Sequence, residues 1–559
     1  MFCEQYSTIR ALLAILPMIL LGACQPQEKQ EAADLVISQS RIWTADDNNR
    51  WAEALAIKGD KILAVGSDKE IAAYIGENTV HWQRPGALVL PGFIDSHVHF
   101  LTGGAGLSSV QLRDAKTKEE FIRRIAEHAK TLPPGEWILN GDWDHENWGG
   151  ELPSRDWIDK VTPDNPVLIN RLDGHMLLAN SLALQKAGIN GETEQVEGGE
   201  IVKDDQGQPT GVLKDNAMNL ALAAVPAKGP DELERDLAAA MAYAASEGVT
   251  SVHDMGDWQS LDTYRRARQE QRLKTRIYAV MPLADWPRLA KEVEEQGRGD
   301  HWLRIGGLKG FMDGSLGSHT AAFYEPYTDQ PDDSGFFINP PEQMRQWIEG
   351  ADAAGLHIIT HAIGDKAIGS LLDIYAGLPE SERERRLRIE HAQHIHPDDI
   401  ARFANQQVIA SMQPYHAIDD GRWADRVIGE ERAKTTYAFA SLLASGATIA
   451  FGSDWFVAPI SPIKGIYAAV TRRTLDGAHP DGWVPEQKIS VEQALRAYTQ
   501  SAAYASFDEG IKGSLTPGKL ADLVILDKDL FEIPAADIAD VKVLKTLVGG
   551  EVVYDLANP

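Results

Sequence analysis

Apolar residues along the chain fall into two patterns. From Asp34 they form short runs of β character, LVISQSRIWTA and then AEALAIKGDKILAVG, the second turning at Gly59-Asp60. Residues 513–526 and 541–554 repeat that character at the far end. Neither stretch is long enough to bury a sizeable core alone. The pattern therefore predicts one small composite β-sandwich domain built from residues 34–88 and 512–559, with the central segment inserted into it. In that segment short apolar runs alternate with amphipathic helical stretches. Strand candidates lie at 89–99, 250–256, 276–282, 303–314, 357–365, 388–393, 408–416 and 448–454, each with polar or glycine residues at its C-terminal end. Eight strands separated by helices predict an α/β fold, a (β/α)8 TIM-like barrel over residues 89–511, with functional side chains at the C-terminal strand ends. The interval of residues 100–249 is too long for one crossover and predicts an inserted subdomain after the first barrel strand, rich in tryptophan (Trp137, Trp143, Trp148, Trp157) and placed to roof the barrel mouth.

The N-terminal residues follow neither pattern. Residues 11–23 are apolar or small throughout, too short a run to span a bilayer, which takes about 20 residues. They predict a signal peptide over residues 1–23. It ends in Leu21-Gly22-Ala23-Cys24, which resembles a bacterial lipobox and implies lipidation of Cys24, followed by a polar tether over 24–33. The expected location is the cell envelope, on the periplasmic side, with the membrane reached through the lipid anchor; Gln25 points to the outer membrane by analogy with sorting in enteric bacteria. One departure is that Arg10 is the only basic residue of the leader and Glu4 balances it.

A net charge of −28 repels phosphate backbones and argues against a nucleic-acid partner. The expected partner is a small-molecule substrate, and association with further copies of the chain stays open. Two cysteines, both within the first 24 residues, exclude a disulfide framework and a cysteine zinc site.

Candidate chemistry begins at His97-Val98-His99. Residues i and i+2 of a strand share a face, so both imidazoles can point at one metal ion. Such a pair is weak evidence alone, but here it follows Pro91-Gly92 and Asp95 in PGFIDSHVH. That phrase resembles the opening metal motif of the amidohydrolase superfamily, metal-dependent hydrolases on (β/α)8 barrels, as does the closing GSLTPGKLADLVILD (513–527). DGHMLLANSLAL (173–184), KGFMDGSLGSHTAAFYEPY (309–327) and HAIGDKAI (361–368) resemble amidohydrolase family 3, the group that includes N-substituted formamide deformylase.

The resemblance implies metal ligands at His97 and His99 on the first strand, Lys309 as a carbamylated lysine on the fourth, His361 on the fifth, His391 on the sixth and Asp454 in FGSD on the eighth. It implies two divalent ions, zinc by preference, with manganese and iron compatible with the same donors. Asp454 would take a proton from metal-activated water and deliver it to the leaving nitrogen. His175 is the second catalytic candidate, through contact with the substrate or its oxyanion. Asp313 is expected to orient Lys309 or a ligand histidine, His394 to lie beside the ligands, His319 to touch substrate, and Trp143 and Trp148 to form an apolar substrate wall. The function expected is hydrolysis of a non-peptide carbon–nitrogen bond in an amide-like small molecule. The same barrel acting on lactones, esters or cyclic amidines is one alternative, and a non-catalytic envelope lipoprotein is another.

Overall fold

The structure, a computed structural model, describes residues 31–558. The signal peptide, Cys24 and the tether up to residue 30 lie outside the described residues, among which no helix is long and apolar enough to cross a membrane.

The barrel strands are β1 (Phe93–Val98), β2 (Val249–Met255), β3 (Arg276–Pro282), β4 (Leu303–Phe311), β5 (His357–Ala362), β6 (Arg388–His391), β7 (Ile409–Met412) and β8 (Ile449–Phe451). They form one parallel sheet ordered as in the chain, and their near-continuous burial is what a sheet covered on both faces requires. The helix Pro230–Ser246 shows how the outside is covered. Glu232 caps the Gly229 amide at 2.9 Å, proline starts the first turn, and Leu233, Leu237, Ala240, Met241 and Ala244 recur at helical spacing to face the barrel core.

The ladder stops between β1 and β8, and the barrel is nearly closed there by bonds just past the strand ends. Val98 bridges Trp455, the Asp454 amide donates to the His97 carbonyl at 2.7 Å, and Asp95 accepts the Ser453 amide at 2.8 Å. Gly452 makes this approach possible, because a Cβ there would lie 2.6 Å from the His97 nitrogen. The seam thus sets the eighth-strand acid against the first-strand histidines.

The apolar run 89–99, read above as one strand, is two: Leu88–Pro91 belongs to another sheet and β1 begins at Phe93. The break falls at Gly92, where a Cβ would meet Thr250 Cγ2 at 2.3 Å. Leu88–Pro91 joins Trp51–Ala52, Arg41–Trp43, Leu523–Leu526, Val543–Val548 and Glu551–Asp555 in a six-stranded sheet drawn from both chain ends. A four-stranded sheet of Lys61–Gly66, Ala54–Lys58, Leu35–Ser38 and Val80–Gln83 shares with it a buried cluster that includes Ile37, Leu55, Ile57, Val89, Leu523 and Ile525. Between β1 and β2 a five-stranded sheet, from Gly199–Lys203 through Pro209–Asp215, Met176–Ala179 and Val167–Asn170 to Ile138–Leu139, carries two further apolar clusters.

Candidate metal centre

His97, His99, Lys309, His361, His391 and Asp454, spread over five strand ends, meet at one rim of the barrel. Asp454 Oδ1 lies 3.5 Å from His97 Nε2 and 3.4 Å from His99 Nε2, and Oδ2 lies 3.8 Å from His391 Nδ1. Lys309 Nζ is 3.1 Å from His97 Nε2. The His391 ring centroid is 4.8 Å from that of His97 and 4.5 Å from that of His361. Two of these residues leave the strand conformation to arrive there: φ is +71° at His391 and +59° at Asp454, in the left-handed region that side-chain-bearing residues seldom adopt.

Each buried imidazole is held by one nitrogen and offers the other. His97 Nδ1 donates to Glu390 Oε2 at 2.5 Å, His361 Nε2 to the Gly314 carbonyl at 3.0 Å, and His391 Nδ1 to Gln413 Oε1 at 2.9 Å. Burial pushes all three well below the usual histidine range, so they are neutral and able to ligate. Burial also works against the charge on Asp454, but the imidazoles that surround it, His99 among them, outweigh burial and hold that carboxyl at about 2. Lys309 is brought down to about 8 by burial, against the pull of Glu390 and Asp454.

The donors fit a divalent cation. Among the described residues His361 Nδ1 and Asp454 Oδ1 are buried with no hydrogen-bond partner, and ligand atoms of His97, His391 and Asp454 lie within 4.8 Å of one another.

The site opens into a cavity of about 360 Å³ lined by Leu172, Phe311, Leu316, Ile338, Trp423 and Phe456 on its apolar side. His175 faces it from the inserted sheet, with Nδ1 donating to Asp215 Oδ1 at 2.6 Å and the ring 5.0 Å from His361. Asp215 outweighs the cost of burial and raises the His175 imidazole.

Other expected positions fall elsewhere. Trp143 and Trp148 belong to an apolar cluster shared with the five-stranded sheet, donating to the carbonyls of Ile169 and Glu151, and Trp148 packs on Phe121 and Trp157; their apolar area is used up in that cluster. The aromatic wall is instead Phe311, Trp423 and Phe456. His319 packs at a tilt against Tyr327 and pairs with Asp329 at 3.1 Å, outside the cavity lining. His394 bonds Thr436 at 2.9 Å and packs on Phe323, because the left-handed turn at His391 sends only the earlier histidine to the site. Asp313 holds the amides of Ala322, Ile363 and Gly364 at 2.8–2.9 Å and lies 3.6 Å from His361 Nε2, so it shapes the loops beside a ligand histidine and leaves Lys309 alone.

Sequence reasoning passed over Glu390, Gln413, Asp215 and His416, the last also lining the cavity. A signal existed for Glu390: Arg388 and Glu390 sit two apart on a barrel strand, and a charged pair facing an apolar interior has to serve something.

The profile of the amidohydrolase family matches residues 85–554. Protein LONG AFTER FAR-RED 3 of Arabidopsis thaliana is 41% identical over 537 residues, covering 93% of this chain and 92% of its own. N-substituted formamide deformylase of Arthrobacter pascens is 28% identical over 549 residues, covering 93% and 98%. The solved structure of an uncharacterized metal-dependent hydrolase from Pyrococcus horikoshii OT3 superposes with a TM-score of 0.73 at 28% identity, covering 90% of this chain and 99% of that one. A match over most of the chain, together with a barrel whose rim gathers four imidazoles, a lysine and a carboxylate, places this chain in the amidohydrolase family.

Proposed function

We propose that the protein hydrolyses the carbon–nitrogen bond of a small amide-like molecule in the cavity above the metal centre. The observation that carries this reading is Asp454: an ionised, buried carboxylate with one oxygen free of any hydrogen bond among the described residues, set between His97, His99 and His391 in the cavity lining. His97, His99, His361, His391, Asp454 and Lys309, the last as its carbamate, would hold divalent metal, two ions and zinc by preference. Bound there, divalent cations supply Lewis acidity towards water and towards a carbonyl oxygen. Asp454 accepts one proton from the attacking water and returns it to the nitrogen as the C–N bond breaks, so that amide and water give a carboxylic acid and an amine. His175, oriented by Asp215, presents its other nitrogen to the substrate carbonyl. The apolar wall of Phe311, Trp423 and Phe456 excludes bulk water and seats the substituents.

The leader supports a second part of the proposal: Cys24 is lipidated, and the enzyme is tethered to the cell envelope with the barrel on the periplasmic side.

Zinc- or manganese-loaded protein assayed against formamides, longer acyl amides, lactones and cyclic amidines tests the reading. Amine release from amides, abolished in Asp454→Asn, is expected. Turnover confined to lactones would replace the carbon–nitrogen assignment.

A further inference from the structure

Five carboxyl groups line the cavity: Asp173, Asp215, Asp419, Asp420 and Asp454. Four are committed. Asp173 pairs with Arg171 at 2.6 Å, Asp215 with His175 at 2.6 Å, Asp419 with Arg113 at 3.2 Å and with Arg422, and Asp454 lies among the metal-site imidazoles. Asp420 pairs with no cation among the described residues. One of its oxygens accepts the Tyr437 hydroxyl at 2.5 Å, and the other has no partner among the described residues. The guanidinium groups of Arg171 and Arg422 are spent on Asp144, Asp173 and Asp419.

The same hydroxyl of Tyr437 accepts the side-chain amide of Gln393, a cavity residue only 4% exposed, which leaves the Gln393 carbonyl oxygen without a partner among the described residues. Tyr437 is fully buried, and Arg472 grips its backbone carbonyl at 3.0 Å. Two oxygen acceptors, one of them a carboxyl, are therefore fixed on either side of one immobile hydroxyl with no donor opposite. Asp420 is half-buried and both residues line the cavity, so a ligand there can take the place of water on these two acceptors.

We infer that Asp420 and Gln393, joined through Tyr437, form a subsite for an ammonium or other N–H-rich group of the substrate, so that the substrate is a small amide carrying an amino substituent. The inference rests on the hydrolytic reading for what is bound, and deepens it by naming a second recognised group. An arriving cation offsets the burial that holds the Asp420 carboxyl up at about 7. A net charge of −28 also draws cations to the protein.

The test is affinity rather than turnover, measured by calorimetry on zinc-loaded protein with product-like probes that cannot be hydrolysed. Straight-chain ω-aminocarboxylates of increasing length are each compared with the fatty acid in which a methyl group replaces the ammonium. At the length that reaches Asp420, the amino compound binds about tenfold or more tighter. Asp420→Asn brings that pair to within about twofold. Equal affinity in the wild type at every length overturns the inference, whether or not the variant folds, and so does a preference that Asp420→Asn retains. Failure of the amide assay would overturn the hydrolytic reading and leave this comparison intact.

Discussion

Glu390→Gln separates the metal centre from the fold around it. Glu390 is fully buried, receives the His97 Nδ1 hydrogen at 2.5 Å, and takes two bonds from Arg388, at 2.8 Å to Nε and 2.9 Å to Nη2. A glutamine of the same shape has one acceptor and one donor, so its NH2 must face an N–H of either Arg388 or His97. If it faces His97, the imidazole is driven to protonate Nε2, the nitrogen it offers the metal. Loss of such a support lowers metal affinity by about 10–100-fold, which is about 1.4–2.7 kcal/mol. The second effect falls on Arg388, which keeps the Ser96 carbonyl at 2.7 Å and Ser411 Oγ at 2.9 Å but loses its only carboxylate. Stranding a buried cation costs about 3 kcal/mol of folding stability or more. Zinc content at buffered free zinc and the guanidinium midpoint read the two effects separately. Adding Arg388→Met to the variant restores the midpoint and leaves zinc binding weak. Wild-type zinc affinity in Glu390→Gln would refute the claim that Glu390 sets the His97 tautomer.

Lys309, an amine near 8 beside His97, is expected to carry one CO2 in metal-loaded protein, visible by native mass spectrometry; Lys309→Ala should hold less metal and regain activity with added propionate, and an unmodified Lys309 in fully loaded, active protein would sink the carbamate. His175→Asn should keep its metal content and lose about 10²-fold or more in kcat/KM, whereas unchanged kcat/KM on an accepted substrate would remove His175 from the reaction. Stability should fall on acidification: burial holds His145, His357 and His394 down near 3, so the unfolded chain takes up protons below about 6.5 that the folded chain refuses. Stability contributed by these groups is complete above that pH, and by pH 5 up to about 2 kcal/mol each is lost. A guanidinium midpoint that stays flat from pH 7 to pH 5 would contradict their burial as neutral groups.

Much of the barrel is legible in the chain because strand burial and helical spacing are local properties. Runs such as RIYAVMP and HIITHA declare parallel strands wherever they end up, and His97-Val98-His99 puts two imidazoles on one face by pleat alone. What the local pattern could not rank was rivals close together in sequence. His391 and His394 differ by three residues, and only the left-handed backbone at His391 aims one of them at the candidate metal site. Trp143 and Trp148 look like a substrate wall until the apolar cluster that takes them up is visible. Glu390, Gln413 and the Asp420–Tyr437–Gln393 group acquire meaning through partners tens to hundreds of residues away, such as Glu390 with His97. The residue types and the period of their spacing were thus decided by sequence, whereas the seam between β1 and β8, the crossing at Gly452 and the division of acids into those with and without a cation were decided by closure of the barrel. Coulomb and hydrogen-bond energies depend on separation in space, and separation along the chain does not set it.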